Sequence, residues 1–149
     1  MKVVVASHNN LGTRIILTQI LRDVTQAEFL IVETTGIFYK KSFFISIFKL
    51  LKEASFKFCL YRFFDLFIFK MQNSTLEVFT KNLGHNYYKT DDINRDIKVI
   101  KNFEPDLLIM LFTMHIAKSE LIKVPKSGGL GCHPSGLESY RGLETFFGS

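Results

Sequence analysis

The chain has 149 residues and a mass of 17.2 kDa, the size of one ordinary domain and too short for two independent cores. With 47% hydrophobic and 22% charged residues, its composition excludes a disordered protein. Two cysteines, Cys59 and Cys132, exclude a disulfide framework and cannot by themselves hold a metal. Met1 leads into an apolar run without the features of a signal peptide, so we expect a cytoplasmic protein.

The net charge of +5 is concentrated in one segment. Between residues 40 and 70, seven basic residues stand against two acidic ones, whereas the rest of the chain is neutral. The sequence pI of about 9.2 therefore reflects this segment alone. It does not indicate a basic surface that binds the phosphate backbone of a nucleic acid. We expect no nucleic-acid partner.

The chain opens with a strand, a helix and a second strand. Residues 3–6 and 29–32 are apolar runs without polar alternation, which is typical of strands buried on both faces of a parallel sheet. Residues 7–12 are rich in turn formers, and apolar residues then recur at helical spacing towards Asp23. The pattern predicts an α/β class, with a Rossmann-like, mostly parallel sheet and helices on both faces. The dinucleotide fingerprint G-x-G-x-x-G is absent from the first loop.

Residues 40–71 interrupt this pattern with nine Phe and no Gly or Pro, which predicts a basic, Phe-rich helical insert. Its longest uncharged run, residues 42–48, is too short to span a bilayer. Two interpretations stay open. In the first, the aromatic face packs on the domain or on a missing part of it. In the second, the insert lies on an anionic membrane surface. One helical face would carry Leu60, Phe63, Phe64, Phe67 and Met71, with Arg62, Asp65 and Lys70 largely off it.

The second half of the chain predicts a further set of elements. A buried strand at residues 106–111 has the clearest pattern, because six residues there include five consecutive apolar ones. The other predicted elements, in chain order, are a short strand at 76–79, a turn at 83–86, a helix from a cap at 90–92 to an exit at Pro105, a helix at 118–122 and a strand at 130–133.

Candidate binding residues are expected directly after the strands, because open α/β sheets bind ligands at the carboxyl ends of their strands. Residues 7–12, 112–117 and 132–142 meet this condition. The third stretch is the richest in chemistry. Among flexible glycines it carries an imidazole, a hydroxyl, a phenol and a guanidinium, from His133, Ser135, Tyr140 and Arg141. A lone histidine is as often a structural hydrogen bonder as a catalytic group, but its place at a strand end favours a site.

Residues 128–143, which read GGLGCHPSGLESYRGL, resemble the signature of the folate-dependent formyltransferases, G-x-x-N-x-H-P-S-L-L-P-x-Y-R-G. That family includes methionyl-tRNA, phosphoribosylglycinamide and sugar-amine formyltransferases. Pro105 and Asp106 resemble the start of the family's P-D-hydrophobic strand, and residues 113–117 resemble its folate-pocket loop. The resemblance covers the chain loosely, as the amino-terminal part of the family's Rossmann-like domain over residues 1–149.

The resemblance implies transfer of a formyl group from 10-formyltetrahydrofolate to a primary amine, for which a nucleotide-linked sugar is our preferred acceptor. His133 matches the catalytic histidine, able to donate to the oxyanion or to take part in proton transfer. The resemblance implies no metal. It assigns Gly131, Ser135, Tyr140 and Arg141 to the motif on the substrate side, and Met114, His115, Ile116 and Ala117 to the surroundings of the pterin.

The chain departs from the family pattern at several points. Gly131 stands where the family has an asparagine, Gly136 and Glu138 replace a leucine and a proline, and the sequence ends before the catalytic aspartate. Loss of one oxyanion donor typically costs about 100- to 1,000-fold in rate. We therefore expect a domain incomplete at its carboxyl end, with weak or no activity. The alternatives are a non-catalytic binding or membrane-surface protein, and a gene fragment without its own function.

Overall fold

The computed structural model describes residues 1–34, 74–113 and 115–132, and five single residues between the first two ranges. The elements within these ranges, in chain order, are β1 (Lys2–Ser7), α1 (Leu11–Asp23), β2 (Glu28–Thr34), α2 (Leu76–Asn82), β3 (Asn86–Thr90), α3 (Ile97–Phe103), β4 (Leu107–Leu111), α4 (Ser119–Ile122) and β5 (Gly129–Cys132).

The five strands form one parallel sheet in the order β3-β2-β1-β4-β5. At its centre, Val5 of β1 pairs with Ile31 of β2 on one side and with Ile109 of β4 on the other. The chain adds β2 and β3 on one side of β1 and then crosses to add β4 and β5 on the other. The direction of winding therefore reverses between β1 and β4. The predicted α/β, Rossmann-like fold is confirmed.

Helices cover both faces of the sheet, because alternate side chains of the buried strands point to opposite faces. One buried cluster joins β1, β2 and β4 to α1 through Leu17 and to α2 through Leu76. The other joins the same strands to α3 through Ile100 and to α4 through Leu121. The molecule thus has three layers, and the apolar strand runs are explained by burial on both faces.

The strand predicted at residues 76–79 is wrong, since these residues open helix α2. The Thr75 hydroxyl accepts a hydrogen bond from the Val78 backbone N–H at 3.2 Å and caps the first turn. Leu76 and Thr80, one helical turn apart, are the buried positions of this short helix. Over so few residues, a helical stripe and a strand alternation are hard to distinguish.

Strand β3 occupies residues for which the sequence predicts no strand, from the end of the predicted turn at 83–86 to the start of the predicted cap at 90–92. It lies at the edge of the sheet, and its side chains are mostly half-buried or exposed. An edge strand of this kind needs no continuous apolar run, which is why the segment from Asn86 to Thr90 gave no strand pattern.

Helix α3 begins later than the predicted cap. The Thr90 hydroxyl instead accepts a hydrogen bond from the Asp92 backbone N–H at 3.0 Å, and turns follow up to the N-cap at Asp96. Glu104 ends the helix in the left-handed conformation, with φ of 55°, directly before the predicted exit at Pro105. The positions of β4, α4 and β5 agree with the predictions to within about one residue.

The predicted helical insert at 40–71 lies mostly outside the described residues. The five described members, Leu60, Phe63, Phe64, Phe67 and Met71, have helical backbone and exposed side chains. No helix among the described residues has both the length and the apolar character needed to cross a bilayer.

Candidate functional site

The carboxyl ends of the central strands bring three chain segments together. We call this boundary of the sheet its carboxyl edge, as distinct from the lateral edge formed by β3. Ser7 at the end of β1 pairs with Glu33 of β2 and with Leu111 at the end of β4. The winding reverses between β1 and β4, and such a reversal opens a crevice in which α/β proteins bind ligands. The segments after β1 and β4 are therefore the first place to look for a site.

Three hydroxyl groups lie at this edge. Thr34 Oγ1 donates to the Ser7 carbonyl oxygen at 3.1 Å and lies 3.3 Å from Thr113 Oγ1. Ser7 is fully buried, and its Oγ makes no hydrogen bond within the described part of the chain. The hydroxyls of Ser7, Thr34 and Thr113 thus give a polar floor to an otherwise apolar sheet.

The loop after β1 is held tightly against the segment after β4. Asn10 caps α1, its side-chain oxygen accepting from the Thr13 backbone N–H at 2.7 Å. A Cβ atom at Gly12 would lie 3.1 Å from two ring atoms of Phe112, so glycine allows this close approach. Phe112 itself has a φ of 49°, a strained value for a large side chain. The close contact and the positive φ thus fix the loop after β1 against the segment after β4.

The segment after β4 is fixed from the opposite side by Asn94. Its side-chain amide donates to the Ile116 carbonyl oxygen at 3.1 Å, and its side-chain oxygen accepts from the Lys118 backbone N–H at 2.8 Å. Asp92 Oδ1 in turn accepts from the Asn94 backbone N–H at 3.1 Å. The turn after β3 therefore sets the position of the predicted pterin loop.

The predicted pterin residues differ in their surroundings. The His115 side chain is 5% exposed, and its Nδ1 lies 4.0 Å from Asp92 Oδ1. Ile116 is 87% exposed, and Ala117 packs against the buried cluster on the α3 face. Met114 lies outside the described residues. The loop thus presents one apolar side chain and its backbone groups, while His115 is enclosed.

Arg14 ties the loop after β1 to the residue at which the described chain resumes after the insert. This buried side chain donates through Nε and Nη2 to Asn9 Oδ1, both at 3.1 Å, and through Nη2 to the Ser74 carbonyl oxygen at 2.6 Å. The guanidinium also lies 4.7 Å from the ring centroid of Phe79. Burial lowers the pKa of Arg14, and the charge of Glu33 opposes that shift.

Glu33 is the acidic centre beside this arginine. Its Oε2 accepts from the Tyr87 hydroxyl at 2.9 Å, and its Oε1 lies 3.6 Å from Lys89 Nζ. Burial, followed by this hydrogen bond, raises the pKa of Tyr87 above its ordinary value. The phenol therefore stays protonated at neutral pH and does not serve as a general base there.

The motif at residues 128–143 includes β5, and its histidine directly follows the end of that strand. Cys132 closes β5 opposite Leu111, so the strand runs towards the same edge as β1 and β4. Gly131 is exposed, and a Cβ built on it would meet nothing within 4 Å. His133, Ser135, Tyr140 and Arg141 lie outside the described residues.

Two shallow concavities are lined by described residues. One of about 580 Å³ lies at the amino ends of β4 and β5, away from the crevice, with Pro105 and Lys126 on its wall. The other, of about 260 Å³, lies beside Asn94 and Lys118. Within the described residues, no three His, Cys, Asp or Glu side chains come together to hold a metal ion.

The sequence indicated the loops of this site but missed the residues that fix them. Thr34 and Thr113 stand directly at or after buried strands, and that position is the signal that identifies them. Asn94 and Arg14 carry no such signal, because the bonds by which they join distant segments go to backbone groups 22 and 60 residues away in sequence. No protein-family model matches the chain, and a search of curated proteins finds no match either.

Proposed function

We propose that the chain binds a formyl-folate donor at the carboxyl edge of β1, β4 and β5, and belongs to the formyltransferase-like group transferases that act on a primary amine. The observation that supports this most strongly is the end of β5 at Cys132, opposite Leu111. The segments that resemble the folate loop and the histidine motif thereby leave neighbouring parallel strands at one edge.

The described residues of this edge suit a pterin ring. Such rings are bound by apolar contacts and a few fixed polar groups. Ile116 offers an exposed apolar side chain, Asn94 fixes the backbone groups around it, and the buried Ser7 hydroxyl has hydrogen-bonding capacity left among the described residues. These features are expected of a pocket that is largely formed before its ligand arrives.

In the proposed reaction, the acceptor amine attacks the formyl carbon of 10-formyltetrahydrofolate and forms a new C–N bond. The bond between that carbon and N10 breaks, and tetrahydrofolate leaves with the proton that the amine loses. His133, which follows Cys132 directly in sequence, would donate a hydrogen bond to the oxygen that gains negative charge. Gly131 has no side chain to provide a second donor. We therefore expect transfer that is about 100- to 1,000-fold slower than with an amide donor at this position.

A small amine is favoured over an RNA-linked one as the acceptor. Outside residues 40–70 the numbers of basic and acidic residues are equal. The α/β part therefore lacks the excess of positive charge with which proteins bind the phosphate backbone of RNA. A nucleotide-linked amino sugar is therefore the acceptor that we propose.

Equilibrium dialysis of the full chain with 5-formyltetrahydrofolate, a stable formyl-folate, tests the binding half of the proposal. We expect saturable binding that excess tetrahydrofolate reverses. Thr113→Val removes a hydroxyl from the floor of the crevice and should weaken binding about tenfold. Lys123→Ala, near the amino ends of β4 and β5, should leave folate binding unchanged. Absence of saturable binding up to about 1 mM would refute the proposal.

The transfer half needs its own measurement. Formyl transfer from 10-formyltetrahydrofolate to a nucleotide-linked amino sugar can be followed by mass spectrometry of the acceptor over many hours. We expect a slow enzymatic rate that His133→Ala reduces to background. Folate binding together with a rate that His133→Ala leaves unchanged would assign the chain to the folate-binding proteins and remove it from the transferases.

A further inference from the structure

The described residues of the Phe-rich segment form an exposed apolar stripe. Leu60, Phe63, Phe64, Phe67 and Met71 all have helical backbone and follow one another at spacings of one, three or four residues, the spacings that the sequence pattern predicts for one helix face. Their exposed fractions run from 47% for Leu60 to 73% for Met71. We call these five residues the aromatic stripe.

The rings of the aromatic stripe contact one another and leave much of their surface to solvent. The Phe63 centroid lies 5.9 Å from that of Phe64 and 6.4 Å from that of Phe67. Phe63 remains 64% exposed despite these contacts. Contiguous apolar surface of this kind usually marks a site of interaction. Such exposure disagrees with packing of the stripe on the described part of its own domain. Packing on a missing part of the domain, which the first interpretation also includes, stays a prediction.

The charge of the surrounding sequence indicates what covers the stripe. Residues 40–70 carry seven basic and two acidic residues, which is the whole net charge of the protein. A second copy would bring the same positive segment to the contact, and like charges at an interface oppose association. An anionic bilayer instead attracts the basic residues and accepts aromatic side chains at its headgroup level.

We propose that the aromatic stripe docks the protein on anionic membrane surfaces. The sequence supports a surface position, because its longest uncharged run in this segment, residues 42–48, is far shorter than the roughly 20 residues that a spanning helix needs. Basic residues and aromatic rings supply two cooperating attractions, and stable peripheral binding usually requires more than one.

The full chain with Phe64→Trp provides a direct reporter, because the natural sequence contains no tryptophan. Vesicles of phosphatidylcholine with about one third phosphatidylglycerol should shift the Trp emission to the blue and carry the protein into the pellet. Vesicles of phosphatidylcholine alone should do neither. Raising the salt from about 0.05 M to about 0.5 M should release most of the protein, since screening weakens the charge attraction.

Phe63→Ser with Phe67→Ser, in the reporter background, tests the stripe itself. Both side chains are exposed, so the variant should keep its circular dichroism spectrum while its apparent vesicle affinity falls at least about tenfold. Ile15→Ser is the matched control, because Ile15 is 62% exposed on α1, far from the stripe in sequence. It should bind as the parent does.

Three results would overturn the proposal. The first is the absence of binding to anionic vesicles. The second is equal binding to neutral and anionic vesicles. The third is self-association without vesicles that the Phe63 and Phe67 substitutions abolish, which would identify a second copy as the occupant.

Discussion

Asn94 and Ile116 are joined by a hydrogen bond of 3.1 Å between the Asn94 side-chain amide and the Ile116 carbonyl oxygen. The same side chain accepts from the Lys118 backbone N–H, so it bonds on both sides of Ala117. The turn after β3 and the segment after β4 are thereby held in one arrangement. Ile116 can stay exposed on an ordered backbone, which is what a preformed ligand pocket requires.

Asn94→Ala should loosen this segment while leaving the fold intact. The hydrogen bonds to Ile116 and Lys118 are lost, together with a longer one of 3.5 Å to Asp92 Oδ1, so we expect the free energy of unfolding to fall by about 1–2 kcal/mol. Amide exchange should accelerate most at Lys118, whose N–H loses its acceptor. Asn86→Ala is the matched control, because the Asn86 side chain makes an exposed contact of 3.5 Å with Glu28. Unchanged exchange at Lys118 would contradict the assigned role.

Arg14 is expected to be the most sensitive charged residue of the described fold. Arg14→Met removes the donors to Asn9 and to the Ser74 carbonyl oxygen, and it leaves both acceptors in a partly buried setting. We expect the free energy of unfolding in urea to fall by about 2–3 kcal/mol.

Arg22→Met on the same helix serves as the comparison for Arg14. Arg22 is exposed and donates to the nearby Gln19 side chain. Its loss should change stability by no more than about 0.5 kcal/mol. Equal effects of the two substitutions would show that the bonds of Arg14 do not stabilise the fold.

The strands that the sequence predicted are those whose pattern is dictated by burial. β1, β2 and β4 are covered on both faces, and such strands consist of continuous apolar residues. β3 escaped prediction because an edge strand tolerates Tyr87 and Lys89 in place of an apolar run. Helix α2 was misread because a stretch as short as seven residues shows no clear period.

The site divides in a similar way. Its loops were predictable, since they follow buried strands. The residues that shape the loops were not, because the donor bonds by which Asn94 and Arg14 reach distant segments go to backbone oxygens. A partner that is a carbonyl group leaves no pattern in the side chains, so contacts of this type emerge only from the folded chain.

Asp106 should make stability depend on acid. Its carboxylate accepts from Lys126 Nζ at 2.9 Å and from the Lys2 backbone N–H at 2.7 Å, and so links the starts of β1 and β4 to the segment before β5. These hydrogen bonds, that of Lys126 first, lower the pKa of Asp106 below its ordinary value of 3.8. Its contribution is therefore complete above that value and is lost as the pH falls through the lower, folded pKa.

Asp106→Asn tests this linkage through urea unfolding midpoints measured from about pH 7 to about pH 2.5. We expect the variant to be less stable than the parent at neutral pH, and the difference to shrink as the parent's carboxylate takes up its proton. Asp23→Asn, at the exposed end of α1, should run parallel to the parent throughout. A difference between Asp106→Asn and the parent that stays constant with pH would show that charge at this position is not involved.

Gly131→Asn should restore the amide that the resemblance expects at this point of the motif. Because a Cβ at Gly131 meets nothing within 4 Å, β5 can accept the new side chain without displacing its neighbours. An added oxyanion donor is worth about 100- to 1,000-fold in rate, so formyl transfer should rise by up to that factor while folate affinity changes little. Gly131→Ala fills the same position without a donor and should leave the rate at its original level. If both variants are equally slow although they bind folate, the oxyanion lies elsewhere, and the assignment of Gly131 to the site is wrong.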